Sequence, residues 1–143
     1  MSDNLILLVE DNPDDEILAL RALTKGNIVN KTTVVRDGQE ALDYLFCQGV
    51  YADRKNGNPQ VILLDLKLPK VDGLEVLKRI RANPSTKLIP VVILTSSNSE
   101  KDITAGYADG AKSYLVKPVD IDQFSKIIQH FLLYWVGLNK GLE

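Results

Sequence analysis

At 143 residues, 45% hydrophobic and 25% charged, the chain has the size and composition of one globular domain. A net charge of −2 gives no basic footprint for nucleic acid, and a single cysteine excludes an intramolecular disulfide. No apolar run is long enough to span a bilayer, and the first one lacks a preceding basic region and is cut short by Glu10, so a soluble, cytoplasmic protein without a signal peptide is expected.

Short apolar runs alternate with segments of helical period, which argues an α/β domain with a mostly parallel sheet. A first strand is expected at about 4–9. Asn12 then reads as an N-cap with Pro13 at the first helical position, and Ile17, Leu20 and Leu23 as the buried stripe. The second strand, Thr32-Thr33-Val34-Val35, is short and partly polar, as an edge strand would be. A second helix is expected over about 38–48, with Ala41, Leu42, Leu45 and Phe46 inward and Cys47 as a small buried side chain. Residues 49–60 read as a loop, with Asn56-Gly57 as its turn signal. The third strand is 61–64, followed by a helix from Asp72-Gly73 carrying Leu74, Leu77 and Ile80. The fourth is 91–95, followed by a helix opened by a capping-box-like Ser99-Glu100-Lys101-Asp102. The fifth is 113–116, and a last helix capped by Asp120 is expected over about 120–136.

The strand ends carry the chemistry. Glu10-Asp11 closes the first strand, Asp65 the third, Thr95 the fourth and Lys117 the fifth. The apolar runs of strands 1, 3 and 4 suit a sheet covered on both faces. Right-handed crossovers and an edge-like second strand favour the order 2-1-3-4-5, a doubly wound, flavodoxin-like (βα)5 sheet with its crevice at the carboxyl ends of strands 1 and 3. Carboxylates meeting there repel unless a cation sits among them, and oxygen-only donors suit Mg²⁺. A carboxylate is also a competent phosphoryl acceptor, for which Lys117 supplies charge and Thr95 a hydroxyl.

The motifs Val9-Glu10-Asp11-Asn12, Leu64-Asp65 through Pro69 to Asp72-Gly73, Ile93-Leu94-Thr95-Ser96 and Tyr114-Leu115-Val116-Lys117-Pro118 resemble those of the receiver domain of two-component response regulators. The intervals of 30 residues from Asp65 to Thr95 and 22 from Thr95 to Lys117 match that family. The resemblance covers about residues 4–133 of the single receiver domain expected over 1–143. It implies that Asp65 is the phosphoacceptor, charged by a sensor histidine kinase. It implies that Asp11, Asp65 and the Lys67 backbone carbonyl hold Mg²⁺, with Glu10 reaching the ion through water. It implies that Thr95 and Lys117 contact the phosphoryl group, that Tyr114 is the switch aromatic coupled to Thr95, and that the Lys117-Pro118 bond is cis. Lys67 and Ser97 stand where the family varies and tunes dephosphorylation.

With no output domain after the last helix, the expectation is a stand-alone regulator signalling to an unknown downstream protein. The 49–60 loop and aromatic C-terminus make it similar to small regulators partnered with cyanobacterial phytochrome kinases. The protein is not expected to be an enzyme beyond self-catalysed phosphorylation and dephosphorylation of Asp65. An intermediate carrier in a phosphorelay is the alternative. An aspartyl-nucleophile phosphatase is disfavoured by Lys67, which stands where such enzymes place an acid/base Asp, and a flavin-type cofactor binder by the acidic, glycine-free turn after strand 1.

In the last helix, Ile121, Phe124, Ile128, Phe131 and Trp135 make one stripe, and Ile127, Tyr134 and several further apolar residues lie outside it. Such surplus suggests a homodimer face around Ile127, Phe131, Tyr134 and Trp135, the alternative being a last turn folded back on its own domain. His130 has no second histidine with which to bind a metal and is expected to be exposed. Neither nucleic acid nor membrane is expected as a partner.

Overall fold

The computed structural model describes residues 5–25, 31–55 and 57–142, with side chains described as far as Phe131. Five strands, β1 (Ile6–Val9), β2 (Thr32–Val35), β3 (Val61–Leu64), β4 (Val91–Thr95) and β5 (Ser113–Val116), form one parallel sheet in the order β2-β1-β3-β4-β5. Between and after them run α1 (Pro13–Lys25), α2 (Gly38–Leu45), α3 (Gly73–Ala82), α4 (Glu100–Ala108) and α5 (Ile121–Leu142). No helix among the described residues is long and apolar enough to cross a membrane.

The unbroken apolar runs follow from covering both faces. Successive strand residues point to opposite sides. Leu7, Val9, Ile62, Leu64 and Ile93 pack with α2 and α3, while Ile6, Leu8, Leu63, Val92 and Leu94 pack with α1 and α5. Every residue of β1, β3 and β4 is buried, whereas the edge strands β2 and β5 are mostly half-exposed.

Several local expectations change. Asn12 caps α1 as read, its Oδ1 accepting the Asp14 and Asp15 N–H groups. The buried face of α1 is Ala19, Ala22 and Leu23, while Ile17 is 50% exposed. The two alanines let the helix lie close to the sheet, and that phase turns Ile17 outward. Helix α2 stops at Leu45, short of 48, and Cys47, with φ 54°, is exposed rather than buried. Cys47 ends it in the left-handed region, with the Gln48 N–H returning to the Asp43 carbonyl at 2.8 Å, and Arg54 covers the exposed end: its Nε donates to the Tyr44 carbonyl at 2.7 Å, and its guanidinium lies 4.2 Å from the Tyr44 ring centroid. The loop is thus not featureless. It opens with a 3-10 turn, Gly49–Tyr51, and the Tyr51 hydroxyl donates to Glu40 at 2.7 Å. Asp120 caps α5 as read, Phe124 and Ile128 are buried, and the helix continues to Leu142. Residue 4 of the first strand, Asn56 of the turn signal and the side chains of Tyr134 and Trp135 lie outside the described residues.

Two glycines fix the loop after β3. A Cβ on Gly38 would stand 1.9 Å from the Val71 carbonyl oxygen, and one on Gly73 would stand 2.3 Å from that of Asp65. The N-termini of α2 and α3 therefore touch the backbone around Asp65 at distances that only glycine permits. Gly73→Ala should lower stability by about 1–3 kcal/mol, as overpacking against backbone does. Thermal denaturation checks this, and an unchanged midpoint would contradict the close approach.

Candidate functional site

The ladder continues one residue past the strand ends and sets the carboxylates side by side. The Glu10 N–H donates to the Val35 carbonyl at 3.0 Å, and the Asp65 N–H to the Val9 carbonyl at 3.1 Å. Glu10 and Asp65 are consequently buried, at 1% and 6% exposure, while Asp11 faces solvent. Glu10, Asp11 and Asp65 each offer a carboxylate oxygen within 4.8 Å of the others. On the far side, the Lys117 N–H donates to the Thr95 carbonyl at 2.8 Å, and the peptide Lys117-Pro118 is cis.

Lys117 is the counter-ion. Its Nζ lies 2.6 Å from Glu10 Oε1, 2.9 Å from Asp15 Oδ2 and 3.0 Å from Asp65 Oδ2. Burial pulls the ammonium down, but hydrogen bonds to Glu10, Asp15 and Asp65 outweigh it, and the net shift is upward. Burial pushes the Glu10 carboxyl from its ordinary 4.5 up to about 7, with the Lys117 hydrogen bond opposing and the Asp65 charge adding to the rise. One ammonium therefore does not neutralise the cluster. An oxygen-only, over-negative donor set with two of its three carboxylates buried fits a hard divalent cation.

The remaining residues sort themselves around this pair. Asp65 is oriented by the Lys67 N–H, which donates to its Oδ1 at 3.1 Å. Thr95 is fully buried, and its Oγ1 accepts the Ser97 N–H at 3.4 Å. The Tyr114 hydroxyl donates to the Ser97 carbonyl at 2.9 Å, and burial raises its phenol pKa. Ser96 is exposed and lines a cleft of about 300 Å³ between α1 and the start of α5, together with Asp15, Leu18, Lys117, Pro118 and Phe124. The candidate dimer face is remote from this rim: Ile127 and Phe131 are half-buried on α5, and His130 beside them is exposed.

Asp15 is the site residue that sequence reasoning missed. It sits in an acidic run, Asp14-Asp15-Glu16, that reads as favourable charge at a helix N-terminus. Only the helix phase, set by the Asn12 cap, decides which of the three reaches Lys117.

Comparison with known proteins agrees with this geometry. A family model described as the response regulator receiver domain matches residues 6–129. The chain is 38% identical to the probable methanogenesis regulatory protein FilR2 of Methanothrix harundinacea, over 96% of this chain and 86% of that protein. It is 40% identical to the response regulator Rcp1 of Synechocystis sp., over 92% of this chain and 88% of that protein. The solved Mn(2+)-bound form of Rcp1 matches with a TM-score of 0.78, covering 92% of this chain and 94% of that one. A solved bacteriophytochrome response regulator, RtBRR, is 50% identical with a TM-score of 0.80, covering 90% of this chain and 77% of that one.

The raised Glu10 value has a signed consequence. Its stabilising contribution is present below about 4.5 and is lost as pH rises through about 7, because the ionised form is the disfavoured one. A cation binding the ionised cluster reverses that loss. The increase in melting temperature on adding Mg²⁺ should be larger at pH 8 than at pH 5.5, and Glu10→Gln should shrink the difference. Equal increases at both pH values in the unsubstituted protein would refute it.

Proposed function

Because the chain belongs to the response regulator receiver family of two-component signalling, we propose that Asp65 is its phosphoacceptor and that the rim converts phosphorylation into a change of shape. The observation that carries this reading is the shared ammonium: Lys117 Nζ stands within hydrogen-bond distance of Asp65 and of two further carboxylates. In the reaction, an Asp65 carboxylate oxygen attacks the phosphorus of a kinase phosphohistidine. A P–O bond forms, the P–N bond breaks, and its electron pair returns to the imidazole. The Lys67 N–H holds the carboxylate in position. Lys117 neutralises charge on the transferred group. Asp11, Asp65 and the Lys67 carbonyl would hold Mg²⁺, with Glu10 reaching it through water, and the ion would supply further charge neutralisation. The protein is a signalling switch, and its only catalysis is on its own Asp65.

The added phosphoryl group brings roughly −1.5 to −2 charge. Lys117, shared among three acids, turns toward it. The Thr95 hydroxyl moves to donate to it, and Tyr114 follows, since both residues bond to Ser97. The phosphoryl donor is a sensor histidine kinase. A phytochrome-type kinase is favoured by the 50% identity to RtBRR, a bacteriophytochrome response regulator. The half-exposed Leu18, lining the cleft that reaches Lys117, gives a kinase segment an apolar surface beside the rim.

Two outcomes test this. Incubation with acetyl phosphate and Mg²⁺ should add one phosphoryl group by intact mass, and Asp65→Asn should abolish the addition. Equal modification of the variant would rule out Asp65. We also place a homodimer face on α5 around Ile127 and Phe131, joined by Tyr134 and Trp135, whose side chains lie outside the described residues. Sedimentation should show a dimer that Ile127→Glu weakens, and a monomer at high concentration, with and without phosphoryl analogue, would dismiss it.

A further inference from the structure

Ser97 makes one hydrogen bond to each moving part of the proposed switch. Its N–H donates to Thr95 Oγ1 at 3.4 Å, its carbonyl accepts the Tyr114 hydroxyl at 2.9 Å, and its own hydroxyl donates to Asp102 Oδ2 at 2.5 Å. The last contact is the short, charge-assisted one. Asp102 lies in the first turn of α4, where its backbone N–H donates to Ser99 Oγ at 3.0 Å as the helix cap. In a reciprocal capping box the side chain at this position would reach back to the N–H of Ser99. Here the Asp102 carboxylate takes the Ser97 hydroxyl instead, and the Ser99 N–H points to Ser97 Oγ at 3.5 Å. The cap's second arm has been diverted to the loop that joins β4 to α4.

We infer that Asp102 is a positioning residue: through the Ser97 hydroxyl it latches the β4–α4 loop to α4 and opposes movement of Thr95 toward a phosphoryl group on Asp65. This rests on the proposed function above. Thr95 ends β4, and Ser97 is its neighbour two residues on. For the Thr95 hydroxyl to advance toward Asp65, either Ser97 follows or their contact, already 3.4 Å, is lost. Asp102 prevents Ser97 from following, because α4 is itself held against the sheet. A Cβ on Gly106, in the same helix, would lie 2.7 Å from Ile93 Cδ1 and 3.3 Å from Tyr114 Cδ2, so the helix has no slack there. The latch therefore belongs to one arrangement of the loop and is weakened in the other. A phosphoryl analogue must overcome it, and by linkage its removal must tighten the analogue.

The test compares the unsubstituted protein with Ser97→Ala, Asp102→Ala and the double variant. Each is titrated with beryllofluoride in the presence of Mg²⁺, read by ¹⁹F NMR, and melted without it. None of these changes removes the Asp102 backbone cap. Each single variant should lower the melting temperature yet bind beryllofluoride about 3- to 10-fold more tightly, the range expected for losing one hydrogen bond to a charged group that is partly exposed. The double variant should match the singles, because both delete the same contact. Asp102→Asn, which keeps an acceptor oxygen, should fall between. Merely structural damage would move melting and binding in the same direction. Variants that bind beryllofluoride no more tightly than the parent overturn the latch and leave the proposed function standing, as do additive effects in the double variant. A parent protein that binds no beryllofluoride removes the proposed function, and the latch with it.

Discussion

Lys117 Nζ lies 2.6 Å from Glu10, 2.9 Å from Asp15 and 3.0 Å from Asp65, and the rest of the rim is organised around that ammonium. Buried carboxylates that close together are not stable neighbours without positive charge. The sheet imposes the proximity, since β1 and β3 are adjacent and parallel and the ladder continues to Glu10 and Asp65. Lys117 makes that arrangement tolerable without satisfying it. The residual negative charge is what suits the site to a divalent cation. Satisfying all four acids with protein cations would have made a more stable domain and a poorer receiver.

Around this centre, the loops after β3 and β4 are held by different kinds of contact. The loop after β3 is pinned by Gly38 and Gly73, whose helices touch its backbone directly. The loop after β4 is held by side chains, through Ser97 to Thr95, Tyr114 and Asp102. Backbone contacts at glycine have no rotamers and cannot be exchanged. Hydroxyl and carboxylate contacts can be made and broken at modest cost. Asp65 is thus held by contacts that cannot be exchanged, and Thr95 and Tyr114 by contacts that can, which is the division of labour the proposed switch requires.

The strand ends were legible in the sequence because a parallel strand buried on both faces is an unbroken apolar run, and the residue that ends it is unmistakable. That placed Glu10, Asp65, Thr95 and Lys117 on one rim and implied the sheet order. Helix faces were less legible. On α1, Ile17 and Leu20 outrank alanine in hydrophobicity, yet the buried positions are Ala19, Ala22 and Leu23, because close packing against the sheet favours small side chains. Asp15 escaped notice for the same reason, being one of three consecutive acids distinguished only by phase. The end of α2 was missed because a non-glycine, Cys47, takes the left-handed conformation there, and because Arg54, distant in sequence, bonds to the last helix carbonyls.

The exposed Cys47 has a practical side. It is the chain's single cysteine, and it follows the end of α2, a helix whose other end meets the loop carrying Asp65. The eight residues of α2 put about 12 Å of helix between those ends. Nature has left one accessible thiol attachment point, away from the rim. A spin label or fluorophore there needs no engineered background, and if the proposed dimer forms, pairs of labels across its two protomers would give an intermolecular ruler that leaves the carboxylate rim untouched.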